Sequence, residues 1–503
     1  MFIRQKKNKS GLVSVQIIDK SNGVYKVAKT IGSSSDAIVL SRLVADAQLW
    51  IQQKMGLLAL DFVQVDVLLE QFINGIQQIK IVGIELLLGK LFDQIGFNAI
   101  KDELFRKLVL SRLCYPLSKL KTVDYLRRYE DYETNEAAIY RYLDKLHKTQ
   151  KRTVQQISYA HTLTILNHDI QIVFYDVTTL YFEIQQEDTL RQTGFSKDGK
   201  HQNPQIVLGL LVSAGGYPLA YEIYKGKKFE GDTMLPVLNL FKRKYKLKNL
   251  TVVADAGLLS TKNIASLEDN GYQYILGARI KNENHATTSA ILALKLNKGE
   301  SGVIQKNKQT KLIVNYSQAR AKKDSFNRER GIAKLEKQIK TNRINKAQIN
   351  NKGYNKFLKM KGEIIVALDR VKIAEDKKWD GLKGYLTNTG LNVEKVIENY
   401  SHLWRIEKAF RVAKTDLKIR PIYHFAKRRI EAHICLAFVA YKIYKELERQ
   451  LKELHSELSP EKAIEIAKTI YSIKATKPKS KELFERTLII NPEQRTLAKL
   501  FNF

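Results

Sequence analysis

Residues 170–177 are IQIVFYDV and residues 249–256 are NLTVVADA, two apolar runs of strand-forming residues that each carry one aspartate near the end, Asp176 and Asp255. Between them lie QIVLGLLVSA (205–214) and YPLAYEIYKG (217–226), joined by a tight Gly215-Gly216 turn, and a helical stretch from about Thr233 to Tyr245. A second helical stretch over Lys262 to Asn270 and a last run, YQYILGARI (272–280), follow. Short, near-continuous apolar runs rich in Val, Ile and Tyr mark buried strands, and helices between the later ones mark crossovers between parallel neighbours. Three strands in antiparallel meander, then helix, strand, helix and strand, set the first and fourth strands side by side. Asp176 and Asp255 then become neighbours although 79 residues separate them (255 − 176). Carboxylates on rigid elements are hard oxygen donors, the type that Mg²⁺ or Mn²⁺ takes while keeping part of its water shell.

A third acid stands far downstream, Glu407 in YSHLWRIEKAFRVAK (400–414). Tyr400, Glu407 and Lys414 recur every seven residues, which on one helix places them on one face about 10 Å apart per step. Leu403 and Arg411 share that face. A carboxylate flanked by a tyrosine and two cations suits phosphate chemistry: the acid takes metal, and the cations and hydroxyl take backbone phosphates. An amphipathic helix with ordinary i, i+4 pairs such as Glu407 with Arg411 has the same spacing.

Charge agrees with a polyanionic partner. The 503 residues include 85 Lys and Arg against 52 Asp and Glu, a formal net charge of +33, and 44% are hydrophobic, so the chain folds and attracts nucleic acid. Cys114 and Cys435 are the only cysteines, which excludes a disulfide framework or a cysteine zinc site and fits a reducing cytosol. The nine histidines form no H-E-x-x-H pattern, and His424 and His433 suit packing better than metal ligation. The basic start MFIRQKKNKSG is not followed by an apolar signal segment, and no window nears 18 uninterrupted apolar residues, so no membrane association is expected.

Domain organisation follows from the changes in period. Residues 1–60 suggest a β-hairpin, LVSVQIID and VYKVAKTIG turning at Ser21-Asn22-Gly23, then an amphipathic helix from about Ser34. Residues 61–166 are helical, with VGIELLLGKLFDQIG, DELFRKLVLSRLCYPLSKL and TNEAAIYRYLDKLHKT, the last capped by Thr134 or Asn135. They form either a DNA-end-binding domain or a bundle that packs on the next domain. Residues 167–280 hold the sheet and 281–386 an insertion with strand-like SGVIQKN, KLIVNYS, GEIIVALDR and GLKGYLTNT. Within the insertion, Arg320 to Lys361 has 14 Lys or Arg against 3 acids, with a thin stripe of Ile332, Leu335 and Ile339, a basic helical arm or a solvated spacer. Residues 387–440 carry the Glu407 helix and complete the core. Residues 441–503 look helical, EKAIEIAKTIYSI being the clearest stripe, for dimerisation or packing.

Asp176, Asp255 and the Y-x6-E-x6-K pattern together resemble the DDE transposases of bacterial insertion sequences, in the group whose RNase H-like core is split by a β-rich insertion ahead of the glutamate. The resemblance extends over FSKDGKHQNPQIVLGLLV (195–212), WDGLKGYLTNT (379–389) and LKIRPIYHFAKRRIEAHICLAFVAY (417–441), in the family's order. It implies an α/β fold with an RNase H-like mixed five-stranded sheet, the β-rich insertion with its basic arm, and an N-terminal helical domain. It further implies two Mg²⁺ (or Mn²⁺) ions on Asp176, Asp255 and Glu407, and cleavage of double-stranded DNA at terminal inverted repeats with 3′-OH transfer into target DNA. A homodimer in a synaptic complex and a cytoplasmic, nucleoid-associated location are implied as well. Tyr400 and Lys414 match the tyrosine and lysine of the Y-R-E-K signature. Leu403 stands where the signature has arginine, which leaves that phosphate contact to Arg411 or to Arg405; Arg411 is the better substitute, because Arg405 points to another side of the helix. Trp379 is a core residue or a stacking platform for an unpaired base. A nuclease on the same fold without strand transfer, and a DNA-binding relic of a transposase, are the alternatives.

Overall fold

The computed structural model describes the chain apart from residues 22, 56–61, 197, 259, 342, 344–348, 351, 352, 362–364 and 479. It divides into two compact units, Met1–Ile79 with Ile473–Arg486, and Lys80–Ser472 with Thr487–Phe503.

In the smaller unit, strands Phe2–Lys7, Val13–Asp19 and Lys26–Ser34 form an antiparallel meander under helix Ala37–Lys54. Val15, Ile17 and Ala47 make its core. The expected hairpin is thus the central strand and one edge of a three-stranded sheet. Its added strand, FIRQKK, is a polar and mostly exposed edge, so hydrophobic alternation does not mark it. Asn22 of the expected turn lies outside the described residues. The C-terminal region is not wholly helical either: helix Pro460–Ala467 ends before YSI, and Tyr471–Thr476 and Leu483–Leu488 are strands in a sheet with Ile76–Ile81. That pairing joins segments nearly 400 residues apart, which local periodicity cannot reveal.

The larger unit is built on one mixed sheet of eight strands in the order Ser301–Gln305, Lys311–Tyr316, Leu382–Thr387, Gln273–Ala278, Thr251–Ala254, Ile172–Tyr181, Gln205–Ser213, Pro218–Lys225. The last five in that order are the expected RNase H-like sheet, with Ile172–Tyr181 parallel to Thr251–Ala254 and antiparallel to Gln205–Ser213. Three strands of the insertion extend these five to eight: Leu382–Thr387 pairs with the exposed edge of Gln273–Ala278 and two more strands continue from it, leaving that edge covered.

Helices cover both faces. Helix Met234–Tyr245 and Leu267 of helix Thr261–Asp269 pack on one face, while helices Val393–Ser401, Trp404–Thr415 and the long Lys427–Glu453 pack on the other. The helical region contributes Glu103–Cys114, Lys119–Glu130 and Glu136–Ile165, the last capped by Asn135, whose side chain accepts from Ala138 N at 2.8 Å. It joins the same core as the Glu407 helix.

The basic helix spans Gln318–Lys340. Its stripe of Ile332, Leu335 and Ile339 packs on Phe357, Leu358, Val366 and Leu368, the last three from the hairpin Leu358–Lys361 and Ile365–Leu368, so it has a small core of its own. Arg328 fixes it to the sheet side, donating to both carboxylate oxygens of Asp380 at 2.5 and 2.6 Å, with both side chains largely buried. Removing one partner strands the other charge out of water. Asp380→Ala is therefore expected to destabilise the protein by about 3–5 kcal/mol, and Asp380→Ala with Arg328→Met to recover most of that loss in urea denaturation.

Candidate active site

Alternation along the strands decides which side chains share a face of the sheet. In Ile172–Tyr181, Val173, Tyr175 and Val177 belong to the core with helix Met234–Tyr245, whereas Phe174 and Leu180 belong to the core with Ile406, Ala409 and Phe410 of helix Trp404–Thr415. Asp176 has the parity of Phe174 and so faces the Glu407 helix. In the neighbouring strand Val253 lies in that same core and Val252 and Ala254 in the other. One residue further, Asp255 returns to the face of Asp176.

The register then sets their distance. Phe174 pairs with Val253 in parallel, so Asp176 continues opposite Asp255 on strands about 4.8 Å apart. Ala254 pairs with Leu276, which sets Asp255 opposite Gly277, and Gly277 pairs with Tyr385. Asp176, Asp255, Gly277 and Tyr385 make one row across four strands. Asp176 Oδ1 accepts from the Val177 amide at 2.7 Å and Asp255 Oδ1 from the Gly257 amide at 2.9 Å. Both aspartates are half-buried at the end of the row where strand Thr251–Ala254 stops, and Glu407 is exposed.

Gly277 supplies the space in this row. A Cβ there would stand 2.3 Å from the Tyr400 hydroxyl, so that hydroxyl occupies the place a side chain would take, beside Asp255. The Tyr400 ring meets Tyr385 edge-on at 4.9 Å and Lys383 Nζ lies 4.4 Å from its centroid. Burial pushes the Tyr400 phenol up, and the negative charges of Asp255 and Glu407 push it the same way, with Arg320 opposing. Burial first, then Arg320, draws the Lys383 ammonium down, against the pull of Glu407. Tyr400 thus lies within electrostatic reach of two of the acids, and Lys383 and Arg320 bring positive charge to the same place.

Tyr400 and Glu407 are not on one continuous helix. Helix Val393–Ser401 ends at His402, and the Leu403 and Ile406 amides donate in the tighter i→i+3 pattern to the Tyr400 and Leu403 carbonyls as the chain passes into Trp404–Thr415. The seven-residue spacing therefore crosses a break: Glu407 and Lys414 share a helix, Tyr400 precedes it. Leu403, at the position of the signature arginine, is buried in the core. Arg411 is exposed. Arg405 points elsewhere, as its spacing suggested, lining a cavity of about 620 Å³ with Trp404, Lys445, Glu448 and Arg449. Lys414 is half-buried and faces Asp198 at 3.4 Å, which Arg420 also pairs with. Trp379 is half-buried and packs on the core of the opposite face, the core reading.

Among the described residues no group of three or more His, Cys, Asp or Glu side chains stands close enough to hold an ion. The sheet pairs two carboxylates, and the third stands on the helix system covering them. Sequence reasoning passed over Lys383, Arg320, Tyr385 and Asp198 as individuals. Lys383 and Asp198 lie inside the segments WDGLKGYLTNT and FSKDGKHQN, and Arg320 was one cation among 14; only the fold shows which of them reach the row.

A mixed sheet with paired aspartates at its parallel strand ends under a glutamate-bearing helix is the arrangement of the RNase H-like fold class. The chain belongs to the transposase DDE domain family, whose description matches residues 167–443, more than half of its length. Its chemistry is divalent-metal-dependent DNA cleavage and strand transfer. No curated protein matches it. Among solved structures it is similar to the piggyBac transposase synaptic complex with hairpin DNA (8% identity, 77% of this chain and 78% of that one, TM-score 0.37). It is also similar to the Mos1 transposase paired-end complex with left transposon end (13% identity, 31% of this chain and 53% of that one, TM-score 0.16) and to the Mos1 mariner paired-end complex with Mn (14%, 31% and 54%, TM-score 0.15). The chain thus spans about half the length of the Mos1 chains, and membership rests on the family match.

Gly277→Ala should cost about 1–3 kcal/mol by driving its methyl into the Tyr400 hydroxyl. Tyr400→Phe removes the clashing atom, so Gly277→Ala with Tyr400→Phe is expected to be less destabilised than the two single changes add up to, in a double-mutant cycle followed by urea denaturation.

Proposed function

We propose that Asp176, Asp255 and Glu407 are the carboxylates of a DNA-strand-transfer site that takes two Mg²⁺ or Mn²⁺ ions. The observation that carries this reading is the parallel register, with Phe174 opposite Val253, which sets Asp176 opposite Asp255 on the face that the Glu407 helix covers. The donor set fits hard divalent cations: three carboxylates, with no thiolate among them. Bound there, such ions would stabilise the attacking and leaving oxygens of a phosphodiester. Glu407, exposed on its helix, has to draw in toward the aspartates for all three to share the ions.

The chain's own groups have four tasks. Asp176 and Asp255 hold negative charge at fixed strand ends. Lys383 and Arg320, beside them, offset the charge of an incoming phosphate. Tyr400 is held by Tyr385 and by the space over Gly277, where its hydroxyl can donate to a phosphate oxygen. Arg411, exposed one turn past Glu407, takes a backbone phosphate in place of the family's arginine. In the first reaction water forms a bond to phosphorus, the P–O3′ bond breaks and the proton passes to the released 3′ oxygen. In the second that 3′-OH attacks a target phosphodiester, and the displaced target 3′ oxygen takes the proton.

Two element ends have to be processed together, so we assign a homodimer on DNA as the working assembly, with the terminal inverted repeats and the target as its DNA partners. Among the described residues no helix is long and apolar enough to cross a membrane.

Cleavage and joining of labelled DNA bearing the element ends, with Mg²⁺ or Mn²⁺, tests the assignment. Glu407→Ala is expected to lose more than about 100-fold in rate with DNA binding retained, since even losing partners of metal ligands costs about 10–100-fold. Wild-type activity in that variant would remove Glu407 from the site, and cleavage without joined product would make the protein a nuclease.

A further inference from the structure

Arg112 and Lys119 are buried cations. Each is 7% exposed, and neither makes a hydrogen bond or ion pair among the described residues. Both line a cavity of about 470 Å³ shared with Ser118, Tyr140, Lys418, Arg420, His424 and His433. The two histidines are 8% and 6% exposed, their rings 5.4 Å apart, and His433 Nδ1 has no partner while Nε2 meets the Ile419 carbonyl at 3.1 Å. Glu136 is the one acid on the cavity wall.

Groups so placed repel one another: burial lowers the basicity of Lys119 and His433, and the charge of Arg112 lowers both further. An unpaired charge out of water is costly, and a fold retains it where a counter-charge arrives from outside. Ser118 caps the N-terminus of helix Lys119–Glu130 at the same wall, and a helix N-terminus adds a further attraction for an anion.

The cavity is tied to the candidate active site. Arg420 pairs with Asp198, which faces Lys414 on the Glu407 helix, and Ile422 N donates to the carbonyl of Tyr181, at the end of the strand that carries Asp176. Five residues separate Tyr181 from Asp176, about 17 Å along an extended strand, or on the order of five base-pair steps at 3.4 Å each.

We propose that this cavity binds a phosphate group, and that its source is a backbone phosphate of the DNA lying in the active site, a few nucleotides from the bond that is cut. Arg112 and Lys119 supply the charge, and neutral His424 can donate one hydrogen bond, whereas His433 keeps its single N–H on the Ile419 carbonyl. The proposal rests on the reading of the carboxylate row as a DNA site, and its test is read by binding without divalent ions, so that failure here is distinct from failure of the Glu407→Ala cleavage assay.

Full-length wild type, Arg112→Met and Lys119→Met are compared for binding to element-end duplex across a salt series, and for melting temperature with inorganic phosphate or chloride at matched ionic strength. Each variant is expected to bind DNA at least about tenfold more weakly, with a salt slope shallower by about one. Each should melt no lower than wild type without DNA, because an unpaired buried charge has been removed. A single methylphosphonate within about ten nucleotides of the cut should weaken wild type and leave the variants unaffected. Unchanged DNA affinity in both variants would overturn the proposal; if phosphate then still raised the wild-type melting temperature and not theirs, the site would belong to a free anion. A lower melting temperature in both variants would show that the cations are already paired in solution and would overturn it equally.

Discussion

The site depends on the pairing of two short stretches, Ile172–Phe174 with Thr251–Val253, in parallel. A parallel pair has no turn to set its register; the register is held by which residues are buried, because a slip of one residue would exchange the two faces. Here both strands carry large apolar side chains on both sides, so a slip would drive an aspartate into the core with helix Met234–Tyr245. The cost of burying that charge and the placement of the aspartates are therefore one constraint.

The insertion depends on the same sheet. Leu382–Thr387 adds to the free edge of Gln273–Ala278, and its alternation sends Lys383 and Tyr385 to the face of the aspartates. Gly277 in the adjoining strand leaves room for Tyr400, which the two aromatic and cationic neighbours hold. A segment that interrupts the core in sequence thus supplies part of its active face.

Much of this was legible in the sequence, for physical reasons that also mark the limit. Buried strands are long runs of apolar residues, so the five core strands could be inferred from composition, while their order and the meeting of Asp176 with Asp255 came from the known RNase H-like arrangement of such elements. Asn135 as a cap and the stripe Ile332, Leu335 and Ile339 were legible because both are local. Phe2–Lys7 was not, since an exposed edge strand has no apolar alternation, and Tyr471–Thr476 was not, since its partner is Ile76–Ile81. The break at His402 was hidden because no Pro or Gly marks it; the heptad of Tyr400, Glu407 and Lys414 continues across residues that all favour or tolerate helix.

That break gives the third acid a different mechanical standing from the first two. Asp176 and Asp255 are fixed by strands with cores on both faces, and Tyr400 is locked over Gly277 at the end of one helix. Glu407 lies beyond a turn of tighter hydrogen bonding, exposed, on a helix whose buried side is Ile406, Ala409 and Phe410. Lys414, further along the same helix, faces Asp198, and Asp198 also holds Arg420. The helix that carries Glu407 is thus tied at its far end to an ion-pair cluster. Two carboxylates are paired by the sheet, and the third stands apart on a helix that the sheet does not fix.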